Sequence, residues 1–160
     1  MSSREESTDR VIKVEAGVTP AEQVRPGEAV PPSKMMLACT LAYCIPGLGH
    51  LVLGRWRRGL IFAVAIFTMF VLGLLMKGHL FYPTREDPLL IFHSFADVGI
   101  GLAYFVCYLL YAGFNIQIGF GAPQAAVATF EYGNAFLWTA GLLNYLVIMD
   151  AYDIAIGRKR

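Results

Sequence analysis

Long runs of apolar residues, separated by short polar connections, make up most of the chain after residue 33. Four such runs can be drawn, at about residues 35–53, 59–78, 98–118 and 133–151. Each is close to the roughly 20 residues that an α-helix needs to cross about 30 Å of hydrocarbon. Apolar and polar positions do not alternate within the runs, which argues against a membrane β-barrel. The pattern predicts an all-α fold, an integral membrane bundle of four transmembrane helices.

Pro46 interrupts the first run. Proline has no backbone N–H and clashes with the preceding turn of a helix, so we expect the first helix to be broken at this residue. Gly47, Gly49 and Gly54 follow it, and glycine permits the backbone angles of a tight corner. The second helix is predicted to start near Gly59.

The N-terminal segment, residues 1–33, differs in composition from the rest of the chain. It contains four prolines, six acidic residues and four basic residues. Such a segment buries too little apolar surface to offset the entropy that is lost when it is ordered. We therefore expect a disordered polar tail at residues 1–33, followed by a transmembrane helical domain at residues 34–160.

The connection before the third run carries two expected features. Residues 82–88 are predicted to form a water-facing loop, and residues 89–95 a short amphipathic helix in the membrane interface. Asp97 then precedes the third run. Because a carboxylate can accept hydrogen bonds from the free N–H groups of a first helical turn, we predict that Asp97 is the N-cap of the third helix.

Charge and metal-ligand content narrow the possible classes of protein. Charged residues make up 16% of the chain, against about 25% in soluble domains. The formal net charge is +1, and nucleic acid is not expected as a partner because it requires a concentrated basic face. His50, His79 and His93 lie on three separate connections without the spacing of metal ligands. We expect neither a metal nor a cofactor.

Arg55, Trp56, Arg57 and Arg58 form a basic and aromatic cluster beside the Pro46 corner. Tryptophan and basic residues both favour the membrane interface. Each basic residue near an anionic surface contributes about 1 kcal/mol to binding. We expect the cluster to anchor the topology of the chain, with specific contact to lipid headgroups as the alternative.

Basic residues leave two arrangements of the chain open. With four spans, Lys34, Lys77, Arg85 and residues 158–160 lie on the side opposite residues 55–58. The larger group of charges favours both chain termini inside. If the first run is a re-entrant hairpin instead, residues 55–58 lie inside and the C-terminus lies outside. Both arrangements place residue 58 and residue 159 on opposite sides.

Asn144, Asp150 and Asp153 are polar residues in or beside the fourth run. Asn144 is expected to face another helix and to form a hydrogen bond there. Asp150 and Asp153 share one face of a helix and could bind a divalent metal or take part in acid–base chemistry. Because Asp150 falls at the predicted membrane edge, structural pairing or capping is the expected role, and residues 55–58 are its candidate partners. Contact with lipid or an ion is the remaining alternative.

The corner resembles that of a known family. Its sequence is Pro-Gly-x-Gly-His, followed by Leu-Gly-Arg and a further glycine, and it is similar to the corner of the two-helix transmembrane domain family. The residues that fit are Pro46, Gly47, Gly49, Leu53, Gly54, Arg55 and Gly59. Val52 stands where that family has an aromatic residue. Asp150 looks like the acidic residue that closes the family's second helix, although it lies much further along the chain.

The whole chain resembles an uncharacterised bacterial family with four apolar segments and a similar corner. That resemblance implies a fold and a location, and no reaction. We expect a non-enzymatic integral membrane protein of the cell membrane, multi-pass and in the bacterial inner membrane, with an accessory or membrane-organising role. Its expected partners are membrane lipids, with another membrane protein or a second copy as further options. A small transporter or channel subunit, and an enzyme that acts on lipid headgroups through Asp150 and Asp153, are the alternatives.

Overall fold

Six α-helices make up the described part of the chain, which is residues 29–83 and 88–159 of a computed structural model. They are α1 (Pro32–Cys44), α2 (Leu48–Val52), α3 (Trp56–Leu75), α4 (Pro88–Val98), α5 (Leu102–Phe114) and α6 (Phe130–Ala155). Within these two ranges no strand occurs, and the predicted all-α class is confirmed. The predicted disordered tail falls almost entirely outside the described residues.

Two helices, α3 and α6, are long and apolar enough to cross a membrane. They contain 20 and 26 residues, which corresponds to about 30 Å and about 39 Å at about 1.5 Å per residue. They cover most of the second and fourth predicted segments. α4 and α5 meet the same requirements only as a pair that is bent by 113°. The structure therefore supports two or three spans and does not confirm four.

α3 and α6 run antiparallel and approach each other closely through glycine. A Cβ atom added to Gly73 of α3 would lie 2.7 Å from Cγ of Leu137 and 3.0 Å from the carbonyl oxygen of Gly133, both on α6. Small residues permit this close approach of membrane helices. The end of the pair that contains residues 55–58 and 150–159 is called the basic end below. The opposite end, with residues 76–80 and 115–130, is called the loop end.

α1 and α2 form a hairpin that enters and leaves at the basic end. Val30, just before α1, donates its N–H to the carbonyl oxygen of Ala155 at 2.8 Å. α1 has 13 residues and ends at Cys44, so it is about 20 Å long and too short to span a bilayer. After Pro46 the chain returns in α2, and Leu53 packs in one buried cluster with Val30 and Ala155. The expected break at Pro46 is thus a reversal of the chain.

α4 and α5 form a second hairpin, which enters from the loop end. The segment after α3 meets the segment after α5, where Leu80 donates its N–H to the carbonyl oxygen of Gly119 at 2.7 Å. α4 packs along α6, and the His93 ring stacks on Trp138 with the ring centroids 4.3 Å apart. The chain then turns at residues 99–101, and α5 leads it back towards the loop end.

The tips of the two hairpins meet midway along α6. The Tyr43 hydroxyl in the last turn of α1 donates to the carbonyl oxygen of Val98 at 3.2 Å. A Cβ atom on Gly101 would lie 2.0 Å from the carbonyl oxygen of Tyr43, and its φ of 82° also favours glycine. Asn144 of α6 lies at the same level, since its amide donates to the carbonyl oxygen of Gly99 at 2.9 Å.

The predicted N-cap role of Asp97 is wrong. Asp97 lies in the last turn of α4, where its Oδ2 accepts a hydrogen bond from the N–H of Phe81 at 2.8 Å. Gly101 precedes α5 instead. The physical reason is that the turn at residues 99–101, which contains two glycines, divides the third apolar run. α5 therefore begins at Leu102, beyond Asp97. The helix expected at residues 89–95 is part of α4, and it buries Ser94 and Asp97 against the rest of the molecule.

Residues 58 and 159 lie at the same end, which neither predicted arrangement allows. Arg55, just before α3, donates its N–H to the carbonyl oxygen of His50 at 2.7 Å. His50 and Lys159 both bind the carboxylate of Asp150. Each hairpin returns to the end from which it came, so in the described residues the chain passes from one end to the other only in α3 and α6.

Candidate functional site

The glycines of the corner allow three helices to meet at the basic end. Gly47 has a φ of 87°, and a Cβ atom there would lie 2.1 Å from the carbonyl oxygen of Gly59 in α3. A Cβ atom on Gly49 would lie 2.4 Å from the carbonyl oxygen of Ala38 in α1. Any larger residue at these two positions would push the helices apart. Gly54 has no neighbouring atom within 4 Å of such a Cβ, and its φ of 75° alone favours glycine.

His50 of α2 connects this corner to the C-terminal part of α6. Its side chain is fully buried, and its Nε2 lies 3.0 Å from Oδ2 of Asp150. Because a carboxylate can only accept, the Nε2–H of His50 is the donor in this contact. The Nδ1 atom of His50 has no hydrogen-bond partner among the described residues. His50 and Asp150 are 100 residues apart in the sequence. This contact therefore joins the Pro46 corner to the fourth apolar run.

Two basic residues from the end of the chain neutralise the paired carboxylates. Lys159 Nζ lies 2.6 Å from Oδ1 of Asp150 and 3.7 Å from Oδ2 of Asp153. Arg158 reaches Asp153 at 4.0 Å. The hydrogen bond that Lys159 donates to Asp150 raises the pKa of the Lys159 amine. The lysine side of the pairing is therefore fully charged at neutral pH, and its contribution is lost as the pH rises above about 10.4, the ordinary pKa of lysine.

The four residues of the basic cluster are placed at the surface beside this contact. Trp56 is 60% exposed, and the guanidinium carbon of Arg57 lies 5.6 Å from the centroid of its ring. Arg57 and Arg58 are exposed, whereas Arg55 is half-buried. The expected pairing of Asp150 with this cluster is not what the structure has, because the partners of Asp150 are His50 and Lys159. The guanidinium groups of Arg57 and Arg58 thus face outward at the basic end.

Asn144 is separate from the two aspartates and binds the hairpin tips instead. Its side chain is fully buried. The amide nitrogen donates to the carbonyl oxygen of Gly99 at 2.9 Å and lies 3.5 Å from that of Tyr43. The structure therefore divides the polar residues of the fourth run into a contact at the hairpin tips and a contact at the basic end.

The arrangement at the basic end is suited to structural pairing and surface recognition. Both carboxylates are engaged by cationic or histidine side chains, and His50 is inaccessible. In residues 29–83 and 88–159, no group of three or more histidine, cysteine, aspartate or glutamate side chains could hold a metal ion. Trp56, Arg57 and Arg58 are exposed at the same end, and no acidic side chain among the described residues pairs with the two arginines.

Sequence reasoning missed the roles of His50 and Asp97. His50 was considered only as a metal ligand, yet it is buried and pairs with Asp150. The signal that could have found this role is its place directly after Gly49 in the corner. Asp97 is also fully buried, and its Oδ1 has no hydrogen-bond partner within the described chain. Ser94, one turn earlier, is in the same situation. Nothing in the sequence around Asp97 indicates that its partner is the backbone of Phe81.

Comparison with known families gives one match. The sequence model of a family of unknown function, DUF6677, matches residues 37–160. The chain belongs to this family. In this DUF6677 chain the matched residues include His50 and Asp150, all of the second hairpin, and the first hairpin from residue 37 onward. No curated protein and no solved structure matches the chain.

We predict that Asp150→Ala destabilises this DUF6677 protein much more than Asp153→Ala. Removal of the Asp150 carboxylate leaves the buried N–H of His50 without a partner, at a cost of about 1–3 kcal/mol. Asp153 lies at the surface, where an ion pair contributes about 0–1 kcal/mol. The measurement is the free energy of unfolding of each variant in a mild detergent. Equal losses for the two variants would contradict the structural role of the His50 contact.

Proposed function

We propose that this is a non-enzymatic integral membrane protein that binds anionic lipid headgroups through its basic end. The observation that carries this proposal is the distribution of charge. Six basic residues of the described chain lie at the basic end, against Lys77 alone at the loop end. The six are Lys34, Arg55, Arg57, Arg58, Arg158 and Lys159. Lys159 and Arg158 are engaged with the aspartates, whereas Arg57 and Arg58 have exposed side chains.

The same distribution supports an orientation in the membrane. Cytoplasmic segments of membrane proteins carry an excess of lysine and arginine, so the basic end would face the cytoplasm. α3 and α6 would cross the bilayer, and each hairpin would enter about halfway from one face. In a bacterium the membrane would be the inner one. Accessory or membrane-organising roles agree with a surface that recognises headgroups and a buried interior that is held by structural contacts.

Cysteine labelling tests this orientation. In a variant whose native cysteines are replaced by alanine, single cysteines are introduced as Ser33→Cys, Arg158→Cys and Ala122→Cys. A maleimide that cannot cross membranes should label intact cells at position 122 only, because positions 33 and 158 lie at the opposite, basic end. Labelling at all three positions is expected after the cells are permeabilised. Labelling of position 158 without permeabilisation would contradict the orientation.

Tryptophan fluorescence tests the headgroup contact. Trp138→Phe leaves Trp56 as the single tryptophan, and brominated phospholipids that contact it quench its emission. We expect an anionic brominated lipid to quench Trp56 several-fold more effectively than a zwitterionic one at equal concentration, since each nearby arginine contributes about 1 kcal/mol. The preference should fall with added salt and with Arg57→Gln, and Lys77→Gln at the loop end serves as the control. Equal quenching by the anionic and the zwitterionic lipid would contradict the proposal.

A small transporter is a second candidate function, favoured by the polar groups near the hairpin tips. Oδ1 of Asn144, Oδ1 of Asp97 and Oγ of Ser94 are buried and have no hydrogen-bond partner among the described residues. Broken helices that meet inside the membrane are typical of transporter binding sites, and a buried acidic residue there indicates a functional site.

Flux measurements in liposomes decide this second candidate. A transporter should move protons or small cations, and Asp97→Asn should abolish that flux while leaving the protein folded. Asp153→Asn changes a carboxylate at the basic end and should leave the flux unchanged. A wild-type protein that gives no flux above protein-free liposomes would exclude this function.

A further inference from the structure

An apolar groove lies between the Pro46 corner and the middle of α3. Its cavity has a volume of about 180 Å³. The walls are formed by Ala63, Phe67 and Phe70 of α3, by Ile45 and Pro46 of the corner, and by Ala103 of α5. The lining is almost wholly apolar, and it is open to the outside of the molecule along α3, where Phe67 is 64% exposed.

The groove exists because Pro46 reverses the chain. α1 stops at Cys44 and α2 turns back towards the basic end, so the α1–α2 hairpin covers α3 only over its first turns. The second hairpin approaches from the other end and reaches this level with its tip at residues 99–101. Between the two hairpins, Phe67 of α3 remains exposed, whereas Phe70 at the base of the groove is buried. A side-chain-sized gap therefore remains at mid-depth.

The groove lies directly below the exposed part of the basic cluster. Trp56, Leu60, Ala63 and Phe67 follow one another at intervals of three or four residues, so they occupy one face of α3. Trp56 and Leu60 are 60% and 53% exposed. From Trp56 to Phe67 the helix rises by about 16 Å. One continuous face of α3 thus has the Arg57 guanidinium over Trp56 at the basic end and the apolar groove further along the helix.

An anionic phospholipid has a charged headgroup and apolar acyl chains. The Arg57 guanidinium at the surface suits the headgroup, and the apolar groove suits an acyl chain. A cavity of about 150 Å³ lined by leucine, isoleucine and phenylalanine binds benzene, so this groove has room for several methylene groups. At this depth of the bilayer the available ligand is hydrocarbon. A headgroup phosphate near Arg57 would place an acyl chain of the same molecule along Leu60 and into the groove.

We propose that the groove binds one acyl chain of an anionic membrane phospholipid whose headgroup is held at Trp56 and Arg57. This site rests on the proposed function and makes it specific, because it turns general attraction to an anionic surface into retention of a single lipid. Ala103 and Phe67 determine whether the chain fits, and Arg57 determines which headgroup is preferred.

Native mass spectrometry tests the site. The whole protein is reconstituted in vesicles of phosphatidylglycerol and phosphatidylcholine, extracted in mild detergent, and examined for bound phospholipid. Ala103→Leu fills the groove, and Phe67→Ala removes one of its walls without removing a buried side chain. Each should lower the bound fraction about tenfold, which corresponds to the loss of roughly two buried methylene contacts. Ala112→Leu, an exposed position on the same helix as Ala103, should bind lipid as the wild type does.

The headgroup and the groove are distinguished by Arg57→Gln. This variant should reduce the preference for phosphatidylglycerol, whereas the two groove variants should reduce the retention of both lipids. If Arg57→Gln lowers the preference but Ala103→Leu and Phe67→Ala retain lipid normally, the groove site is wrong and the proposed function stands. If wild-type protein shows no preference for phosphatidylglycerol, both are wrong. A dimer that the groove variants dissociate would overturn the lipid site alone.

Discussion

The amide of Asn144 donates to the carbonyl oxygen of Gly99 and approaches that of Tyr43, at the tips of both hairpins. The last carbonyl groups of any helix have no partner within that helix. In hydrocarbon each unsatisfied backbone group costs several kcal/mol, so irregular backbone at membrane depth must be satisfied by protein. A chain that reverses twice inside a bundle therefore requires a donor at the point of reversal, and Asn144 supplies it from α6, which packs against both hairpins.

A second contact holds the returning arm of the first hairpin. His50 binds Asp150 at the basic end, while Tyr43 binds the second hairpin at the level of Asn144, about three turns of α6 away from Ala155. These contacts form only where the backbones of neighbouring helices approach each other closely. The glycines supply it, since a Cβ on Gly47 would reach Gly59 and one on Gly141 would lie 1.8 Å from the carbonyl oxygen of Ala96. The corner motif and the acidic residue at the end of the chain are thus two halves of one structural unit.

Much of the fold follows from the sequence, and the path of the chain does not. Hydropathy identifies α3 and α6 because length and apolar composition determine which helices can span hydrocarbon. Proline and glycine identify the break at Pro46 because they act locally. Whether the chain continues or reverses after such a break depends on distant partners, here Asp150 for the corner and Phe81 for Asp97. Such pairings leave no periodic signal, so the number of spans and the side of residue 159 could not be obtained from the runs alone.

The reversal at Pro46 also bears on which medium surrounds the molecule. With the α1–α2 hairpin packed along α6 and against the first turns of α3, Leu60 and Phe67 remain exposed. On the far side of the bundle, Leu146 and Met149 of α6 are 65% and 62% exposed. Exposed apolar patches of this extent are rare on monomeric soluble proteins. Hydrocarbon at these surfaces would remove that cost, and in the site that we propose an acyl chain would pack against the uncovered face of α3 as a neighbouring helix otherwise would.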